Sequence, residues 1–216
     1  MQGINERKLQ RAISVRNDPT YIRVKVAVRF LILFGLGVFL GGAFFRSEYI
    51  DRSALDASLI REHFSSIFVG CETFSDKLLT TLILSEVEIR YLFLIFISGF
   101  TYFCFVASGF MMFGRGFLIG FSTSCLVYLH RTDTDGFGEI AVFGFLFFQI
   151  VSSILLIGMS MSAYIFSFDF RGIKRNHFVL RRAPIIYKYA FALILALGGL
   201  LMNNFFYCSF FAFLQI

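Results

Sequence analysis

The sequence predicts an all-α membrane protein with five spanning helices, its N-terminus on the cytoplasmic side and its C-terminus outside. Three observations carry this prediction. Of 216 residues 57% are hydrophobic and only 16% charged, well outside the usual balance of a soluble domain. The apolar residues, thirty-two phenylalanines among them, gather in long uncharged runs that no soluble core of this length could bury. Basic and acidic residues then separate into different connecting segments, as they do when successive loops lie on opposite sides of a bilayer. The net charge of +6 is therefore read as cytoplasmic bias and not as a nucleic-acid surface.

Residues 1–25 form a basic arm with Arg7, Lys8, Arg11, Arg16, Arg23 and Lys25 against Glu6 and Asp18. The positive-inside tendency puts it in the cytoplasm. The remainder, 26–216, reads as a single polytopic domain. A helix needs ~20 apolar residues to cross the hydrocarbon core, and 26–45 meets this, with Arg29 close enough to the end for its stem to snorkel. The run has no AxA-like cleavage site near its end, so a retained span is expected.

Residues 46–90 carry five basic and eight acidic residues and are expected outside. Within them Leu55, Leu59, Ile60, His63, Phe64, Ile67 and Phe68 recur at intervals of three and four, an amphipathic helix. Phe74 begins a second apolar-rich piece, to Ile89, interleaved with charge. Either piece can rest on the bundle or lie in the outer interface. Leu59, His63, Phe64, Ile67 and Phe68 are the candidate partner-binding residues.

Spans two and three are expected at 91–113 and 115–130. The tight turn between them is assigned to Gly114, Arg115 and Gly116, with glycine permitting the backbone angles and arginine reaching the headgroups. Arg115 is the lone charge in a long apolar stretch; a charge buried within the bundle is the other reading. Spans four and five follow at 140–168 and 189–214. Residues 130–139 set Arg131 against Asp133, Asp135 and Glu139, and belong outside. The basic loop 169–188 holds six cations against Asp169 and belongs inside. Only a crossing by the short 115–130 run places both loops on the sides their charge favours.

Catalysis needs reactive groups facing one another, and the runs supply none: His63, His130 and His177 lie in loops or at span ends. Gly120-Phe-Ser-Thr-Ser124 misses the GxSxG pattern at its last position. Cys71, Cys104, Cys125 and Cys208 have neither metal-ligand nor CxxC spacing. No catalytic residue, metal site or cofactor is therefore expected. Gln149, Ser152, Ser153, Asn203 and Asn204 are the polar groups at depth; they can bond helix to helix or line a path. Gly37 with Gly41, and Gly116 with Gly120, form GxxxG pairs, which in a polytopic bundle suit an internal helix contact.

The order of features resembles the stage II sporulation protein M family of bacterial membrane proteins. The residues carrying the likeness are Phe30-Leu-Ile-Leu-Phe-Gly-Leu-Gly-Val-Phe-Leu-Gly-Gly42, Tyr91-Leu-Phe-Leu-Ile-Phe-Ile-Ser-Gly99, and the glycine-rich stretch from Gly109 to Phe121. The likeness extends over roughly residues 30–170. Where similar members carry an aliphatic-glycine turn, this chain has Arg115. The resemblance implies a non-enzymatic multi-pass scaffold in the cell membrane, assembling with the peptidoglycan-degrading sporulation proteins D and P during engulfment of the forespore. A membrane subunit of a transporter or permease is the alternative.

Overall fold

The computed structural model describes residues 19–46, 73–132, 139–175 and 182–213. These form five helices and, among the described residues, no strand: α1 (Pro19–Arg46), α2 (Phe74–Ser98), α3 (Cys104–Thr132), α4 (Glu139–Arg175) and α5 (Arg182–Phe213). Four contain stretches long and apolar enough to cross a membrane, at Arg23–Arg46, Cys104–Tyr128, Val142–Phe170 and Pro184–Phe213. The amphipathic stretch containing Leu59, His63, Phe64, Ile67 and Phe68 lies outside the described residues.

Successive helices alternate in direction. Along α1 and α3 the contacts advance together, Phe30 with Phe105 and Phe45 with Tyr128, so these two run parallel. Along α4 and α5 they advance in opposite senses, Phe148 with Phe210 and Phe166 with Tyr189. Helix α2 is antiparallel to α5, pairing Thr81 with Cys208 and Phe96 with Tyr189. The 99–103 turn and the α4-to-α5 connection consequently share one end of the bundle.

The seam between α1 and α3 is made by the two glycine pairs. A β-carbon added at Gly37 would run into the backbone of Phe113 and Phe117, and one at Gly116 into that of Phe34. Gly41 and Gly120 repeat the arrangement one turn on, against Phe117 and Val38. Small residues let helix backbones touch where apolar solvent supplies little drive for association. The main core fills the remaining space with Phe30, Leu92, Ile95, Met112, Leu156, Met159 and Leu200, all fully buried.

The boundary between the second and third helices differs from the expected one. Helix α2 begins at Phe74, within the segment assigned outside, and ends at Ser98, fifteen residues before the expected 113. Its start is fixed by a capping box: Thr73 Oγ1 accepts from the Asp76 backbone N–H, and the Asp76 carboxylate accepts from that of Thr73. Its end is fixed by a return of backbone bonds, Gly99 N–H to Phe96 O at 3.1 Å and Thr101 N–H to Ser98 O at 2.9 Å. Gly99 also makes room for Tyr189, whose ring would meet any added side chain there. Gly114, Arg115 and Gly116 therefore do not form a hinge; they lie well inside the continuous helix α3.

The first half of helix α2 is partly inverted in polarity. Thr81, Ser85, Glu88 and Ser98 are buried together with Leu92 and Ile95, whereas Leu78, Leu79, Leu82, Ile83, Val87 and Ile97 are exposed along with the Glu86–Arg90 ion pair. A helix bathed in water turns such aliphatic side chains inward and such polar ones outward.

Candidate functional site

The polar face of α2 enters a cluster to which four helices contribute. Thr81, Ser85 and Glu88 recur at intervals of four and three, so one stripe carries them all. Glu88 and Arg115 form an ion pair inside the bundle, with side chains only 5% and 8% exposed. Each is ten or eleven residues from the turn that joins α2 to α3, about 15 Å along its helix. The hairpin geometry brings them level.

The pair is tied to the other two helices. Arg115 Nη2 also donates to Gln149 Oε1 of α4 at 2.6 Å. Asn204 Nδ2 of α5 donates to the second carboxylate oxygen of Glu88 and to Ser85 Oγ, both at 2.8 Å. Both carboxylate oxygens thus receive hydrogen bonds, which lowers the cost of keeping the charge from solvent. Arg115 Nε has no hydrogen-bond partner.

A neighbouring set ties α4 to α5 alone. Asn203 Nδ2 donates to Ser152 Oγ at 2.9 Å and to Phe148 O at 3.1 Å. Ser153 Oγ turns back along its own helix to Gln149 O at 2.7 Å, the local bond a hydroxyl makes in a helix interior. Gln149, Ser152, Ser153, Asn203 and Asn204 are thereby all placed in or beside the cluster. Glu88 and Ser85 are the members that sequence reasoning missed. The signal was available: Thr81, Ser85 and Glu88 share one helical face, which Leu92 and Ile95 continue, while Leu78, Leu79, Leu82 and Ile83 lie off it.

Toward the end of the bundle that carries the 99–103 turn, an aromatic stack takes over from the polar contacts. Tyr189 lies between Phe96 and Phe166, with centroids at 4.6 and 4.2 Å and planes within 16° of parallel. Its hydroxyl donates to Phe96 O at 2.8 Å, satisfying the one polar atom the ring carries.

Comparison with protein-family models, curated proteins and solved structures returns no match. The chemistry of the cluster must therefore be read from its own atoms. It contains one acid, one permanent cation, two carboxamides that donate and one that accepts. Among the described residues no group of three or more histidine, cysteine or carboxylate side chains is placed to hold a metal ion. The carboxylate is committed to two donors and the guanidinium to two acceptors, so the set joins helices through complementary groups.

Proposed function

We propose that this protein is a non-enzymatic multi-pass scaffold of the cell membrane. Its five helices all span, with the N-terminus inside and the C-terminus outside, and it presents the segment between α1 and α2 to partners beyond the membrane. The observation that carries the reading is the network from Glu88 through Arg115 and Asn204 to Gln149, which bonds α2, α3, α4 and α5 to one another. With α1 held to α3 through glycine contacts, the bundle is fastened as one body, as a platform requires. The aliphatic side chains that α2 turns outward, with Glu86 and Arg90 among them paired to each other, support counting it as the fifth span, with lipid in place of water around them. The resemblance to the stage II sporulation protein M family adds the class of partner: peptidoglycan hydrolases of sporulation, the proteins D and P, during engulfment.

The test is affinity purification of the tagged full-length protein in mild detergent, with mass spectrometry of what accompanies it. The scaffold reading expects a peptidoglycan hydrolase that is lost when Phe64 and Phe68 are changed to glutamate. An ATPase or second permease in its place overturns the reading.

One observation favours a transporter or permease subunit as the second reading. A charged pair at mid-bundle, with one guanidinium nitrogen left unpartnered, is the kind of feature that marks ion or substrate paths in membranes. On that reading Gln149→Leu, Asn203→Leu or Asn204→Leu abolishes uptake while the protein stays in the membrane. A scaffold keeps its partners through the same changes.

A further inference from the structure

At the end of the bundle that carries the 99–103 turn, α1, α4 and α5 line an open cleft of about 370 Å³. That is within the ~300–1,000 Å³ typical of small-ligand pockets. Its charged lining is Arg23, Asp169 and Lys188, and its apolar walls include Met161, Ile165 and Ala192. Arg23 begins the apolar stretch of α1, Asp169 is one residue from the end of that of α4, and Lys188 lies near the start of that of α5. All three charges are therefore level with lipid headgroups if these stretches span. Met161 lies eight residues before Asp169, about 12 Å deeper along the helix. The cleft is thus charged at its mouth and apolar below, open to a molecule with the same polarity.

The mixture of signs narrows the occupant. Asp169 opposes a purely anionic headgroup, and Arg23 with Lys188 opposes a simple amine; Arg23 acts on the Asp169 carboxylate through space, but among the described residues no direct ion-pair contact closes the mouth. A zwitterionic head satisfies both signs, its phosphate taking the two cations and its ammonium taking the carboxylate. We propose that this cleft binds a phospholipid with a primary-amine headgroup, phosphatidylethanolamine, seating its glycerol and first acyl carbons between α4 and α5. A primary ammonium has three N–H groups to offer Asp169, whereas a choline head has none. The proposal rests on the membrane reading alone and holds equally for a scaffold or a transporter subunit.

The test uses the full-length protein in mild detergent with equal amounts of phosphatidylethanolamine, phosphatidylglycerol and phosphatidylcholine, and counts retained lipids by native mass spectrometry. Phosphatidylethanolamine is expected to exceed phosphatidylcholine by roughly tenfold, the worth of a charge-assisted hydrogen bond. Asp169→Asn should remove that preference, and Arg23→Gln with Lys188→Gln should lower retention of all three lipids. Asp76→Asn, at the far end of α2, should leave the preference unchanged. Equal retention in the parent protein, a preference that survives Asp169→Asn, or phosphatidylglycerol at or above phosphatidylethanolamine overturns the proposal. Displacement of the lipid by millimolar inorganic phosphate overturns it too, assigning the cleft to a free anion. A protein that stays in the aqueous fraction without detergent instead refutes the membrane reading, which separates the two failures.

Discussion

Glu88 of α2 and Arg115 of α3, 27 positions apart in the chain, pair side chain to side chain in the interior of the bundle. Removing either alone leaves its partner as a poorly compensated buried charge, whereas removing both leaves no buried charge, only the neutral Gln149 and Asn204 with a hydrogen bond fewer each. In proteins generally, breaking a buried pair costs about 3–5 kcal/mol, and replacing both members with apolar residues is often neutral.

Glu88→Leu and Arg115→Leu are each expected to destabilise the protein by that order, and the double variant to recover most of the loss. Thermal unfolding in detergent, followed by loss of monodispersity, measures this. A double variant whose loss equals the sum of the two single losses would mean that the two residues contribute independently.

The glycine seam predicts a contrast between two alanine substitutions. At Gly120 a methyl group would meet the backbone of Val38, which cannot swing aside, whereas at Gly35 nothing lies within 4 Å. Gly120→Ala should cost about 1–3 kcal/mol through overpacking, and Gly35→Ala should be neutral or stabilising by up to about 1 kcal/mol through helix propensity. Melting temperatures of the two variants, measured side by side, decide it.

Tyr189 separates stacking from hydrogen bonding. Tyr189→Phe keeps the contacts with Phe96 and Phe166 and loses only the bond to Phe96 O, for about 1 kcal/mol. Tyr189→Ala empties the stack, and about 3–5 kcal/mol is expected by analogy with other buried aromatics. Similar losses for the two variants would assign the stability to the hydroxyl.

Helix α2 can be mapped from its surroundings. Nitroxide labels at Leu79 and Ile83 should collide freely with oxygen, which dissolves in lipid, and poorly with a water-soluble nickel complex; labels at Thr81 and Ser85 should be shielded from both. Ready quenching of Leu79 and Ile83 by nickel would place this face of the helix in water.

Three of the apolar stretches were legible because length and composition are all that a lipid-crossing helix demands: α1, α4 and α5 stand close to the runs 26–45, 140–168 and 189–214. The boundary between α2 and α3 was not. From Tyr91 to Leu129 the chain is apolar almost throughout, so hydropathy marks no turn, and the lone Arg115 attracted the assignment. The turn sits at Gly99 instead, where Tyr189, ninety residues further along, requires a residue without a side chain. Glu88 was hidden by summation. Counted among the eight acids of residues 46–90 it pointed outward, although its position relative to Ser85 and Thr81 put it on the buried stripe. Asn203 and Asn204 were recognisable as polar groups at depth; their partners could be known only once antiparallel packing had brought Ser152 and Glu88 opposite them.

The partly inverted polarity of α2 bears on biogenesis. While α2 is emerging from the ribosome, Glu88 lacks the counterion it has in the fold, and an unpaired acid at mid-helix opposes release into lipid. Arg115 is translated 27 residues later and Asn204 another 89 after that. On the five-span reading proposed above, the second helix therefore has reason to wait at the insertion machinery and enter as a hairpin with the third. Its final seat is completed only once α5 has been made and Asn204 can reach Glu88, so quality control has a natural checkpoint between the insertion of the second helix and the arrival of the fifth.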